Sequence, residues 1–456
     1  MSSFIRPNRQ GSGFIDSSSG APFVPMGANY FDPKFYPEAA WTPGIWDHYD
    51  HERVARQLGQ MSTAGLNTIR VFLDVMTLNP QKGQYSETGF AKVDDMVRIA
   101  NQNDIRIIFS GPNFCHGWPE YRKGDIVADP AQTDQICALW EVLALRYGHE
   151  PTIMTWDLFN EPMVGWPQRG DMFFSEARLA KWQQQATAAG FNPGDELLPV
   201  EPGAIEKALW CEYLRFQENL AEEWIKIQCQ ALRSAGARQM ISVGLVPWSI
   251  PILLMARPGI GLGYSGFRPQ QIAKHLDYMS VHFYPMLTNN QAGLDPELDL
   301  QRAYLQVVSR ASYIPGKPLV LEEFGWKGGK AVPGEARVWP QEHQTMWGET
   351  LIEATRGVCS GWLNWGYADA ADPHADISVA TGLWTEDEEL KDWGKRFSAL
   401  ALQFSSQPPA FEVAKTRWQV NRFDFIYEHQ GHPSLVWLAG KLAAEPSDSV
   451  EVVFTD

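Results

Sequence analysis

No stretch of the sequence is long and apolar enough to suggest a membrane span. The most apolar one, residues 240–256, is broken by Pro247 and Pro251 and carries Ser242 and Ser249, whereas a bilayer core needs about 20 consecutive apolar residues. Cysteine is scarce. Five residues (Cys115, Cys137, Cys211, Cys229, Cys359) are scattered through 456 without metal-ligand spacing; the odd count leaves at least one unpaired within the chain, and all five are expected to be thiols. Positive charge is in deficit, with 38 Lys and Arg against 54 Asp and Glu, a formal net charge of −16. That balance argues against an electrostatic grip on nucleic acid or an anionic membrane. Glycine-rich phosphate loops, nucleotide motifs, repeats and low-complexity tracts are missing, so no cofactor is expected. The opening Met1-Ser-Ser-Phe-Ile-Arg-Pro-Asn-Arg9 has no apolar signal-peptide core. The expectation is a soluble cytoplasmic protein, or a secreted one if a leader has been removed.

What is present is a globular composition, 44% hydrophobic and 20% charged, long enough for one barrel or for two to three ordinary domains. Tryptophan is abundant, at 19 residues. Such rings can fill a core, or stack on sugar faces where they fall at strand ends.

Strand-like and helix-like segments alternate. Residues 13–16 and 22–26 flank the turn-forming Ser17-Ser-Ser-Gly20 and read as a hairpin, running on into Gly27-Ala-Asn-Tyr-Phe31, the first candidate barrel strand. From His51 a helical stripe carries Val54, Leu58 and Met61. Strands at 67–73 and 105–110 alternate with helices at 90–101 and 134–147, and the apolar run 153–159 follows. Four more strands, 240–245, 278–284, 319–324 and 361–365, complete a series of eight. One parallel series of that length implies a closed (β/α)8 TIM barrel with right-handed crossovers. Residues 163 to about 202 show no sustained period and read as a long insert after the fourth strand, a lid or subsite wall; a helix at 204–234 follows. Pro408-Pro409 marks a joint, beyond which 417–426 and 449–454 read as strands. The expected domains are a barrel with its N-terminal hairpin over 1–403 and a small β-rich extension over 404–456.

Residues 151–162 read Pro-Thr-Ile-Met-Thr-Trp-Asp-Leu-Phe-Asn-Glu-Pro. Pro162 cannot donate to a ladder and pushes the residue before it out of the helical region. Asn160 and Glu161 therefore sit where a buried strand empties into a loop, the edge at which parallel α/β proteins bind ligands. A carboxylate there, with an apolar strand behind it, is poised to serve as an acid. Taken alone, Asn-Glu-Pro also suits a helix N-cap or a turn. A second site of matching context shifts the weight: Lys317-Pro-Leu-Val-Leu-Glu322-Glu323-Phe-Gly325-Trp326 ends another buried strand in two glutamates. Successive side chains of a strand point to opposite faces, so only one of the pair is expected to face the barrel mouth. Two glutamates at the C-terminal ends of different strands are what glycosidic-bond hydrolysis requires. One protonates the leaving oxygen, and the other attacks the anomeric carbon or activates water.

Asn160-Glu161-Pro162 and Glu323-Phe324-Gly325 resemble the two signature motifs of glycoside hydrolase family 5 and its relatives among the retaining (β/α)8 enzymes. Gly65-Leu-Asn-Thr-Ile-Arg70 resembles the second-strand arginine motif, and Val281-His-Phe-Tyr-Pro285 the sixth-strand His-x-Tyr. Trp365 stands where the family keeps a tryptophan under the sugar. The resemblance runs from about residue 20 to about residue 400 and leaves the tail uncovered. It departs in two places: Trp156-Asp157 replaces the frequent Trp-Glu, and the third-strand histidine is displaced into Asn113-Phe-Cys-His116.

The resemblance implies Glu161 as acid/base and Glu323 as nucleophile, with Glu322 behind them or turned towards the helices. It implies Arg70, His116, Asn160, His282, Tyr284 and Trp365 as substrate-site residues. Arg70 would keep Glu323 ionised, Tyr284 would donate to the same carboxylate, and Asn160 would reach the sugar 2-OH. Other readings stay open: Arg70 as partner of a buried Asp157, His282 as a hydrogen-bonded barrel histidine, Trp365 and Trp118 as core. The Asp369-Ala-Ala-Asp372-Pro-His-Ala-Asp376 loop fits no calcium pattern and reads as solvated, so no metal is expected.

The implied activity is a retaining β-glycosidase cleaving β-linked glucan or mannan, or their oligosaccharides. Leu321-Glu-Glu-Phe-Gly325 and Gly27-Ala-Asn-Tyr30 lean towards mannan. A β-galactosidase or β-glucosidase of the same group is the alternative within enzymes. A non-catalytic carbohydrate-binding barrel would need a missing carboxylate, and both are present. The expected partner is a β-linked oligo- or polysaccharide, with neither nucleic acid nor membrane.

Overall fold

The computed structural model describes residues 3–31, 45–113, 119–164, 175–195, 206–250, 255–257, 261–285, 297–335, 337–371, 377–412, 416–429, 440 and 450–456. Three short antiparallel strands come first: β1 (Ile5–Pro7), β2 (Phe14–Asp16) and β3 (Pro22–Phe23). The expected hairpin is the pairing of Phe14 with Phe23. The added β1 is three residues long, too short to show a period.

A closed parallel barrel follows, of β4 (Met26–Asn29), β5 (Thr68–Asp74), β6 (Arg106–Asn113), β7 (Ile153–Asn160) and β8 (Met240–Leu245). After a small ribbon of β9 (Met255–Arg257) and β10 (Gly261–Gly263), it closes through β11 (Met279–Phe283), β12 (Leu319–Phe324) and β13 (Gly361–Trp365). Around it lie α1 (His51–Thr63), α2 (Val75–Leu78), α3 (Glu87–Gln102), α4 (Pro130–Tyr147), α5 (Glu176–Ala188), α6 (Lys207–Ser234), α7 (Pro269–Ile272), α8 (Leu298–Ser312), α9 (Gln341–Thr355) and α10 (Asp392–Ser406).

Local chemistry marks where these helices begin. Asp50 accepts from the Arg53 N–H at the start of α1, Ser86 from the Gly89 N–H at α3, and Asp129 precedes Pro130 at the first turn of α4. Each satisfies an orphan donor of the first turn. The outward faces of the strands meet the helices in one continuous apolar shell, in which Trp156 of β7 packs edge-on against Trp140 of α4 at 5.9 Å. Each aliphatic or Phe side chain fully buried there contributes about 1.5–3 kcal/mol.

The inside of the barrel is layered. Ile108, Met154, Met240, Tyr278, Val320 and Leu363 fill its lower part, closed from below by Ile5 and Phe14 of the N-terminal strands. Two residues further along the strands the filling becomes polar: Ser110, Ser242, Ser280 and Glu322 are all buried. A buried polar layer lowers stability unless fully paired, so its presence above an apolar floor points to function.

Two expectations are revised. The insert contains the helix α5, whose cap is Ser175 and whose buried face is Arg178, Leu179, Trp182 and Ala186; an arginine inside that face and the Gln183-Gln-Gln185 run obscured the period. The segment expected as a strand over 417–426 divides into β14 (Thr416–Asn421) and α11 (Arg422–His429). The Asn421 side chain accepts from the Asp424 N–H, and that cap turns strand into helix. β14 pairs in parallel with β15 (Val450–Thr455). Cys137, Cys211, Cys229 and Cys359 are free thiols, and Cys115 lies outside the described residues. Among the described residues no helix is long and apolar enough to cross a membrane.

Candidate active site

β5 carries Arg70 into the centre of the polar layer, where its side chain is fully buried. A guanidinium there is tolerable only if its donors are taken up. Nε and Nη2 donate to Asp157 Oδ2 at 3.0 and 2.6 Å, and Nη2 also to Ser110 Oγ at 3.1 Å and Asn160 Oδ1 at 2.9 Å. Nη1 donates to Asn29 Oδ1 at 3.0 Å and to Glu323 Oε1. Burial works against its charge, but Asp157, Glu323 and Glu322 outweigh that and hold its pKa above the ordinary value. Arg70 is thus the partner of Asp157 and of Glu323 at once.

Glu323 ends β12. Its second oxygen accepts from the Tyr284 hydroxyl at 2.9 Å and lies 3.5 Å from His282 Nδ1. Burial raises its pKa, opposed by His282 and Arg70. Glu161 faces it from the end of β7 with a left-handed backbone, φ +52°, held by its N–H donating to the Gly244 carbonyl at 3.0 Å. A non-glycine residue in that region is uncommon and is held only by its surroundings. His282 Nδ1 lies 2.9 Å from Glu161 Oε1. Burial lowers the His282 pKa to about 4, so the ring is neutral near pH 7 and Nδ1 carries the proton that Glu161 accepts. Gly244 makes room for this arrangement: a Cβ there would lie 2.7 Å from His282 Nε2 and 3.0 Å from Arg70 Nη2.

One oxygen of Glu161, one of Glu323 and a ring nitrogen of His282 lie within 4.8 Å of one another. Such a trio can bracket a small cation. Here the Arg70 guanidinium already occupies Glu323, and a second positive charge beside it is disfavoured. The arrangement is better described as two facing carboxylates, one clamped by a cation and the other touching a neutral imidazole.

Strict alternation fails at Glu322 and Glu323. Both side chains point into the barrel, because the ladder slips between Val281 and His282 on one side of β12 and between Leu321 and Phe324 on the other. A bulge of this kind re-aims a side chain. Glu322 sits beneath Glu323, fully buried, and is not turned towards the helices. Its Oε1 accepts from the Tyr278 hydroxyl at 2.8 Å, and Tyr278 accepts from Ser242 Oγ at 3.1 Å. Its Oε2 is 3.9 Å from Arg70 Nε. Burial, then the charge of Asp157, pushes its pKa up to about 7.

Trp365, at the end of β13, is 7% exposed and packs against Phe31 and Phe72 at ring distances of 5.3 and 6.0 Å. Its indole N–H donates to Ser378 Oγ at 2.8 Å, which fixes the ring plane. Arg70, Asn160, Glu161, His282, Tyr284 and Glu323 are therefore brought together, with Trp365 joined to them through Phe72, which lies under Arg70. His116 and Trp118 lie outside the described residues. The acidic loop is not simply solvated: Asp369 is buried and accepts from Lys391 Nζ at 2.9 Å, while Asp372 and Asp376 are outside the described residues. The sequence reading missed Asn29, Ser110 and Gly244. Asn29 was findable as a polar residue on an otherwise apolar strand; Gly244 gives no such signal, because its reason is the neighbour it spares. A separate cleft of about 500 Å³ lies on the outer face between α4, α5 and α6, over Phe216 and Trp224, and shares no residue with this site.

The family model described as Cellulase (glycosyl hydrolase family 5) matches residues 39–368. A mannan endo-1,4-beta-mannosidase of Oryza sativa subsp. japonica is 22% identical over 345 residues, covering 68% of this chain and 77% of the relative. Among solved structures, an exo-beta-1,4-mannosidase from Opitutaceae bacterium strain TAV5 superposes with a TM-score of 0.64 at 16% identity, covering 98% of this chain and 72% of its own. A beta-galactosidase from the psychrophilic Marinomonas ef1 reaches 0.68 at 15% identity, covering 94% and 69%.

Proposed function

Because the chain belongs to glycosyl hydrolase family 5 and is a retaining β-glycoside hydrolase, we propose that Glu323 is its nucleophile and Glu161 its acid/base. The observation that carries this reading is that one oxygen of Glu161 lies within 4.8 Å of one oxygen of Glu323 at the barrel mouth. Carboxyl groups about 5–5.5 Å apart suit double displacement, whereas inversion needs about 6.5–9.5 Å to seat a water between them.

In the first step Glu323 attacks the anomeric carbon while Glu161 gives its proton to the departing oxygen. In the second, Glu161 takes a proton from water, and the water displaces Glu323 with net retention. The environments suit the roles. Glu323 has Arg70 and the Tyr284 hydroxyl on its two oxygens, both of which favour the anion. Glu161 has a neutral imidazole and more solvent, its side chain being 33% exposed. Asn160 has its carbonyl oxygen held by Arg70, which leaves its amide N–H groups for the sugar 2-OH. Trp365 supplies a flat floor for the same ring.

For the sugar, we favour β-linked mannose units, on the strength of the rice relative, named for mannan. β-Galactoside is the second reading, because the Marinomonas enzyme shares the fold. Aryl β-mannoside, β-glucoside and β-galactoside, run beside mannan and glucan polymers, separate these readings. The mechanism is tested by NMR of the first-formed sugar. A β-anomer is expected, together with labelling of Glu323 by a 2-deoxy-2-fluoro glycoside; an initial α-anomer would rule out double displacement.

A further inference from the structure

Arg422 opens α11, beyond the joint at Pro408-Pro409, and is fully buried. Its fork holds both oxygens of Glu218 in the middle of α6, Nη2 at 3.1 Å and Nη1 closer still, and its Nε donates to Asp456 Oδ1 at 2.7 Å. Glu218 also accepts from the Tyr264 hydroxyl at 2.8 Å and lies 3.6 Å from Arg268. Arg268 in turn reaches Asp456 at 3.3 Å and the Phe454 carbonyl at 3.2 Å. The C-terminal segment is thus joined to residues 264–268 through one cluster of charges, buried at Arg422 and Glu218 and open to solvent at Asp456.

The same stretch grips the loop that carries Glu161. The Ser265 carbonyl accepts the Val164 N–H at 2.8 Å, its N–H donates to the Trp248 carbonyl at 3.1 Å, and its hydroxyl meets Ser249 Oγ at 2.7 Å. Gly266 lies so close to Val164 that a Cβ would come within 2.5 Å of its methyl. From the other side the Val164 carbonyl accepts from Arg178, which is locked onto Asp125 at 2.8 and 2.7 Å. Val164 follows Glu161 by three residues, across a left-handed backbone that only its surroundings hold.

We propose that the C-terminal segment braces the acid/base loop, with Arg422 as a positioning residue acting through Glu218 and residues 264–268 on the reach of Glu161. A buried, bidentate arginine–carboxylate pair is geometrically demanding; it gives little net stability compared with apolar packing, and here it fixes one segment against another. The inference rests on Glu161 being the acid/base, and its test keeps the two apart.

The test is kcat/KM, which reports the step in which the leaving group departs, on two glycosides of one sugar. One is an oligosaccharide, whose leaving oxygen needs a proton; the other is a dinitrophenyl glycoside, which does not. In the Glu218→Gln/Arg422→Met double variant, which leaves no bare buried charge, the oligosaccharide rate should fall about tenfold or more while the dinitrophenyl rate stays within about threefold. Arg422→Lys, which keeps the charge but loses the fork, should show a weaker split in the same direction, and it carries the test if the double variant fails to fold. Equal loss on both substrates, or no loss on either, overturns the brace. Glu161→Gln, run alongside, must show the split in stronger form; if it does not, the acid/base assignment fails whatever Arg422 does.

Discussion

One guanidinium governs the charge at the heart of the barrel. Among the described residues Arg70 is the one guanidinium in ion-pair reach of Asp157, Glu322 and Glu323, so it cannot neutralise all three; burial, then Asp157, pushes Glu322 up to about 7, and burial raises Glu323 as well. On the proposed roles, Glu323→Gln removes the attacking group and should lower kcat by several orders of magnitude with the fold intact; Glu161→Gln should do the same on unactivated substrates. Glu322→Gln should keep far more activity than Glu323→Gln, since Glu322 lies buried beneath Glu323 with its Oε1 on the Tyr278 hydroxyl. A steady-state comparison of the three variants checks all of this, and the reverse order for 322 and 323 would exchange their roles. Gly244→Ala should cost about 100-fold in kcat/KM without changing any reacting group, because its Cβ would displace His282 and Arg70. At this scale the sequence was legible where a motif named the residue, as at Glu161, Glu323, His282 and Tyr284. It was silent where the reason lay in another strand, as at Gly244, or in a slipped ladder, as at Glu322.

Among the elements, the strands were readable because a parallel barrel buries both of their faces and leaves near-continuous apolar runs. Met240–Leu245, Leu319–Phe324 and Gly361–Trp365 have the bounds their apolar runs suggest. Helix α5 was not readable, since Arg178 sits inside its buried face, paired with Asp125, and no hydropathy pattern marks a charge as buried. That arginine ties the insert to the loop of Glu161. Removing the residues between α5 and α6, 189–206, while keeping α5, should therefore shift the lengths of oligosaccharide products more than it changes kcat/KM on a small aryl glycoside. Product chromatography beside aryl-glycoside kinetics checks this, and an unchanged product ladder would count against the insert as a subsite wall.

For the whole molecule, buried titratable groups set a pH window. Glu322 has its pKa raised to about 7, so its contribution to stability is full below the ordinary value near 4.5 and is lost as pH rises through about 7. His282 is lowered to about 4; its contribution is present above about 6.5 and is lost as pH falls through 4. The melting temperature of Glu322→Gln relative to the natural protein should therefore climb between pH 5 and pH 8, when both are followed by calorimetry across that range. A constant difference would mean that Glu322 does not titrate there.

The strands beneath the barrel have a further consequence. With Ile5 and Phe14 stoppering the floor and buried side chains filling the interior above them, Glu161 and Glu323 are reached from the mouth of the barrel and from no other side among the described residues. The departing alcohol stands in the doorway that water needs, so the second half of the reaction waits on a vacancy. Whatever hydroxyl compound fills that vacancy first is served first. In concentrated sugar the newcomer will often be another sugar, and the same protein should then lengthen chains that it shortens in dilute solution.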